Sequence, residues 1–383
     1  MRDDPAQRVG ARLRILRERT ERTQEEVAQA LGLNNRQSVG QIEAGERRVS
    51  PAELVRLGEF FGVPVSHFTD RFEPVQRIAF SFRASEDDPV ARASFEGHAS
   101  KWLTLFVELG REQRVATRFL RPTLGLSEAS SYEDAQEAGE EVARELKLGD
   151  FPGARLSEVL DGTTGVLLLH ITAPASISGA AAHLDQFGAI LINRSDSAGR
   201  RNFDIAHELF HLLTWDRMPP PEFEMVEAEH PGPGGTGGRN YRARREQLAD
   251  NFAAALLMPA RVVKQLWLER ATTPERPLKD VVAWMAGRFR VSAPAVAWRL
   301  HNLGVVDRTQ ELPPASELPQ ATVPAQWERH PPPLFSRDFV DRVRVALEDG
   351  TLSFRRAARI LDLDSSGLAE LFRTYGMSPP YEA

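Results

Sequence analysis

Two histidines and an acid stand at His207, Glu208 and His211, with Leu209 and Phe210 between them. On a helix, residues four apart share a face, so both imidazoles can reach one metal ion. Glu208 lies about 100° further round the axis, beside that ion without having to ligate it. This H-E-x-x-H spacing lets one helix hold zinc and keep a general base next to it. The apolar residues Ile205, Leu209, Leu212 and Leu213 gather on the opposite arc, which gives that side a core to pack against.

Zinc needs a third protein ligand, and catalysis needs the fourth position left for water. Downstream, Glu246 and Asp250 share a face of a predicted helix whose other face carries Leu248, Phe252, Ala255 and Leu256, and Pro259 ends it. Glu246 is the better-placed ligand, with Asp250 accepting the N–H of a ligating histidine. Glu222, Glu224, Glu227 and Glu229, with His230, compete for the role. They sit in a polar, proline-bounded stretch that leads into a glycine-rich run, whose composition predicts a loop. For stabilising an oxyanion, Tyr241 and His183 are both open candidates and neither is preferred.

The run R-N-F-D-I-A-H-E-L-F-H-L-L from Arg201, followed by E-x-x-A-D-x-F-A-A-A-L-L-M-P from Glu246, resembles the ImmA/IrrE family of metallo-endopeptidases. The resemblance implies a zincin-like fold with His207, His211 and Glu246 as zinc ligands, manganese being the alternative ion, and Glu208 as the catalytic base. Two positions depart from the family pattern: Asp204 stands where threonine is usual, and Phe210 where glycine is common. The apolar run 187–193 fits the edge strand that in zincins pairs with an extended substrate, and it fits an ordinary core strand equally well.

Residues 7–68 form a second legible unit. Thr23-Gln-Glu-Glu26 and Ser50-Pro-Ala-Glu53 are capping boxes, and Gly32, Gly45 and Gly62 each follow an apolar-periodic run. About five short helices result. The segment resembles the Cro/CI (XRE-type) helix-turn-helix, nearly complete from Thr23 to Ser50. That resemblance implies that the second helix of the motif reads the major groove of double-stranded operator DNA through Asn35, Arg36, Gln37, Ser38 and Gln41. Gln24 and Arg47 match positions that contact phosphates. Residues 1–75 hold 12 arginines against 12 acids. Without a net basic footprint, either the charges segregate onto two faces or affinity comes from dimerisation and specific contacts; segregated charges together with a homodimer on a two-fold operator are the preferred expectation.

A chain of 383 residues, 42% hydrophobic, supports two or three domains. A net charge of −6 gives no global attraction to nucleic acid or membrane, and the absence of cysteine excludes disulfides and thiolate ligands. The amino-terminal residues lack the apolar core of a signal peptide and no run approaches a membrane span, so a cytoplasmic protein is expected. The expected fold class is α+β multidomain. A five-helix DNA-binding domain (1–72) leads through a connecting region (73–131) to a zincin-like peptidase domain (132–305). A proline-rich linker (306–336) and a small helical module (337–383) follow. Residues 281–303 read as a structural closing unit of the peptidase in preference to a second helix-turn-helix. The expected function is a regulator whose zinc endopeptidase cleaves a Cro/CI-type repressor or its own linker in a stress or mobile-element response. A non-catalytic regulator that senses a ligand or metal, and an antitoxin-type regulator, share the same features.

Overall fold

The computed structural model describes residues 4–74, 78–84, 88–113, 123–163, 165–184, 187–220, 237–271, 277–306 and 331–380. Residues 1–77 with 97–115 form one compact unit, and residues 78–96 with 116–383 form another.

The first unit begins with five helices: α1 (Pro5–Arg19), α2 (Gln24–Leu31), α3 (Arg36–Glu43), α4 (Pro51–Phe61) and α5 (Ser66–Thr69). Both capping boxes form as the sequence predicts, each ending an orphaned backbone donor problem worth about 1 kcal/mol. Gly32 and Gly62 close α2 and α4 in the left-handed conformation that only glycine enters without strain. The core is built from Leu13, Leu16, Val27, Leu31, Val39, Ile42, Leu57 and Phe68. Buried Arg12 donates to the His67 and Glu73 carbonyls and so ties α1 to the end of the helical unit.

The second unit holds a four-stranded sheet in the order β1 (Phe80–Ala84), β3 (Ile177–Leu184), β4 (Phe187–Asn193), β2 (Val166–Ile171). β2 and β4 run parallel, and the other neighbours are antiparallel. Of the two readings open for strand 187–193, the core strand holds: it is central, and all seven of its residues are buried, as suits a run that is apolar on both faces. The sheet also takes a strand, β1, from within residues 73–131, where only a connection was expected.

Helix α9 (Ala198–Leu213) lies on β3 and β4, and α10 (Gly237–Leu257) packs on both α9 and α7 (Tyr132–Glu145). The α7–α10 approach is close enough to require glycine. A β-carbon on Gly139 would stand 2.4 Å from the Phe252 carbonyl oxygen. Helices α8 (Leu156–Thr163), α11 (Ala260–Ala271), α12 (Leu278–Phe289) and α13 (Ala293–Asn302) complete this part, while α6 (Pro89–Glu112) belongs partly to each unit. Val281, Val282, Met285, Phe289, Val291, Val296 and Leu300 all enter the main core, so residues 281–303 close the domain structurally. Three further helices, α14 (Arg337–Glu348), α15 (Phe354–Leu361) and α16 (Ser365–Thr374), follow Phe335, whose N–H bonds the His170 carbonyl on β2. The proline-rich stretch 307–330 lies outside the described residues.

Candidate metal centre and DNA-reading helix

Ser197 caps α9, and the helix buries every residue from Asp204 to Leu213. This places His207 and His211 one turn apart with Nε2 atoms 3.2 Å from each other. Glu246 comes in from α10: its Oε2 is 3.1 Å from His207 Nε2 and its Oε1 is 3.6 Å from His211 Nε2. Donor atoms bound tetrahedrally to zinc at about 2.0–2.1 Å would stand about 3.3–3.4 Å apart. The three observed separations bracket that value, so the residues fit one small divalent ion. Among the described residues these three form the group able to hold a metal. Asp250, one turn beyond Glu246, accepts from His207 Nδ1 at 2.9 Å and so turns Nε2 toward the shared point.

Glu208 is fully buried (0% exposed), and neither of its oxygens has a hydrogen-bond partner among the described residues. Gly179 on β3 lies against it. A β-carbon there would sit 3.3 Å from Glu208 Cγ and Oε1. A buried acid without a protein partner points to one from outside the chain, a water or an ion. The competing residues Glu222, Glu224, Glu227, Glu229 and His230 lie outside the described residues, as does the side chain of Tyr241. His183 stacks on Trp215.

In the helical unit, α2, a left-handed turn at Gly32 and α3 make the helix-turn-helix. Arg36, Gln37 and Gln41 are exposed on α3, and Ser38 is half-buried. Asn35 is the cap of α3, its Oδ1 accepting from the Ser38 N–H and hydroxyl, so its side chain is engaged within the motif. Gln24 donates to Glu43 at 2.8 Å, and Arg47 pairs with Glu53 at 2.7 Å. Glu43 also receives Arg17 at 2.6 Å, which locks α1, α2 and α3 together.

Residues 165–301 match the family model of the IrrE N-terminal-like domain (Peptidase_M78), and residues 8–68 match that of a helix-turn-helix domain (HTH_31). The chain fuses these two domains. No curated protein matches the chain. The helix-turn-helix domain makes it a DNA-binding regulator, and the IrrE-like domain gives it a metallopeptidase-type fold. No helix among the described residues is long and apolar enough to cross a membrane.

The electrostatics of the IrrE-like centre follow from burial. Desolvation pushes Glu208 up to about 8, and the Glu246 and Asp204 charges add to it. For His207, burial and Arg83 pull downward. Its bonds to Asp250 and Glu246, with the charge of Glu208, prevail and raise it to about 9. His211 moves the other way, lowered to about 4 chiefly by burial. Burial opposes ionisation of Glu246, yet hydrogen bonds from both histidines hold it far below the ordinary carboxylate range.

These values set the pH dependence of loading. A ligating histidine must be neutral. His211 already is at neutral pH, whereas metal-free His207 carries a proton below about pH 9. Loading at pH 7 is therefore expected to release at least one proton per ion, from His207, with a second from Glu208 as it ionises, and apparent affinity to rise at least about tenfold per pH unit until about pH 9. Calorimetry of zinc binding in two buffers of different ionisation enthalpy reads the proton count. A count of zero would place His207 outside the ligand set.

Proposed function

We propose that this chain is a transcriptional regulator whose IrrE-like domain is a zinc-dependent endopeptidase that cleaves a repressor, either a partner of Cro/CI type or a linker of its own chain. The observation that carries the reading is the convergence of His207, His211 and Glu246 beside Glu208, which is buried and has no hydrogen-bond partner among the described residues. A sensor domain has no use for such an acid. Manganese suits the same ligand set as the alternative ion. A stress or mobile-element response is the expected setting, with a homodimer on a two-fold operator as the DNA-bound form.

In this reading His207, His211 and Glu246 hold the ion and Asp250 orients the His207 ring. When bound, zinc polarises the scissile carbonyl and acidifies water. Glu208 accepts a proton at its carboxylate and returns it to the leaving amine. Glu208, held protonated by burial, would regain the ionised form a base requires with a cation at the ligand set. A side chain at Gly179 would press on this carboxylate, its β-carbon 3.3 Å from Glu208 Cγ and Oε1, so Glu208 would have to give way by a few tenths of an ångström.

Fusion supports cleavage within the chain, because a tethered segment is presented at high effective concentration wherever it can reach the site. Residues 70–131 and 305–336 are the segments to watch. The test incubates the full chain with zinc or manganese, alone and with a Cro/CI-type repressor encoded beside it, and reads products by intact mass spectrometry. Discrete fragments of either protein that disappear with chelator are expected. Both proteins intact under every condition would overturn the cleavage reading.

A further inference from the structure

The strand that the sequence hid, β1, delivers a charged side chain to the rear of the metal centre. Arg83 Nε is 3.1 Å from Asp204 Oδ1 on α9, and Arg83 Nη1 is 3.2 Å from Asp250 Oδ1 on α10. The same Asp250 oxygen accepts from His207 Nδ1. The guanidinium lies 5.1 Å from the centre of the Phe203 ring. The backbone is held as well: Arg83 pairs with Gly179, the residue against Glu208, and its carbonyl accepts from Ser178 Oγ at 3.1 Å.

We propose that Arg83 is a positioning residue of the metal centre, which fixes the Asp250 carboxylate and through it the ligating face of His207. This rests on the reading of His207, His211 and Glu246 as metal ligands. Asp250 is half-exposed, with 49% of its side chain open to solvent. A carboxylate so placed is free to rotate unless it is held from a second direction, and Arg83 supplies that hold. Asp204 in turn anchors Arg83. It is 1% exposed, three residues before His207, and apart from Arg83 its ion-pair neighbour is Arg200 at 3.8 Å. Both Arg83 contacts are close ion pairs and not hydrogen bonds, since Arg83 Nη1 and the two Asp204 oxygens have no hydrogen-bond partner among the described residues, so Arg83 holds the two acids by its charge. The chain Asp204–Arg83–Asp250–His207 thus ties α9, β1 and α10 together around the ion. Because β1 comes from the stretch that joins the two domains in sequence, the centre is complete only while that strand is seated on β3.

The test compares zinc affinity by chelator competition, and melting temperature, in the full-length wild type, Arg83→Gln, the Arg83→Gln/Asp204→Asn double variant and the triple variant that adds Asp250→Asn. The single variant strands a buried acid and is expected to melt early. The double variant removes both charges of that pair and is expected to recover most of the melting temperature. Its zinc affinity should nevertheless stay about 10–100-fold below wild type. Adding Asp250→Asn should weaken it little further, since both changes act on one contact. A double variant that folds and binds zinc like the wild type overturns the role of Arg83 alone, and so does one that fails to fold. A wild type that takes up no stoichiometric zinc overturns this and the ligand assignment together.

Discussion

Glu208→Gln is expected to leave one metal ion per chain in place and to lower peptide hydrolysis by about 10²–10⁴-fold, the usual contribution of a positioned general base. Glutamine matches glutamate in shape, so the packing against Gly179 persists, but its amide cannot accept the proton. Stability gives an independent check. Glu208 is raised in the folded protein from 4.5 to about 8, so its ionisation costs stability as pH climbs through that interval. The glutamine variant, free of that cost, should gain stability over metal-free wild type progressively from about pH 4.5 to about pH 8. A variant that cuts at the wild-type rate would remove Glu208 from the mechanism, even if its metal content were unchanged.

The second large effect concerns retention of the ion. Glu246→Ala removes the carboxylate that, among the described residues, faces both imidazoles, at 3.1 and 3.6 Å, and leaves two histidines from a single helix. Metal content is expected to fall to a small fraction of one ion per chain. Asp250→Asn, by contrast, keeps all three ligands and disturbs only the orientation of His207, which costs about 10–100-fold in affinity. The order of the two effects carries the argument, and chelator competition measures it. If Asp250→Asn weakened binding more than Glu246→Ala, the ligand and the orienting acid would have to exchange roles.

Much of this centre is written in local sequence. A helix puts i and i+4 on one face whatever its surroundings, so the histidine pair and the Glu246–Asp250 pair follow from spacing alone. Their convergence needs the glycine contact between α7 and α10 and the seat of α9 on the sheet, which are long-range facts. The sheet itself was half legible. β2 and β4 are runs of branched and aromatic residues, whereas β3 is Ile-Ser-Gly-Ala-Ala-Ala-His-Leu, poor in strand-forming side chains and chosen for close approach to α9. β1 is five residues long. Its alternation of Phe80 and Phe82 with Ser81 and Arg83 is the one local signal of a strand. Arg83 was missed with it, since no spacing rule connects residue 83 to residues 204 and 250. At the helix-turn-helix, caps and terminal glycines marked the helices. Gln24 with Glu43 joins α2 to α3, and Arg47 with Glu53 joins the turn after α3 to α4; neither contact had a signature in the local pattern.

X-ray absorption at the zinc edge of the loaded full-length chain tests most directly whether His207, His211 and Glu246 share one cation. The expected spectrum fits two imidazole nitrogens with the remainder oxygen, at one zinc per folded chain. A stoichiometric ion whose shell contains no imidazole pair, or a folded chain that takes up no zinc, would contradict the account.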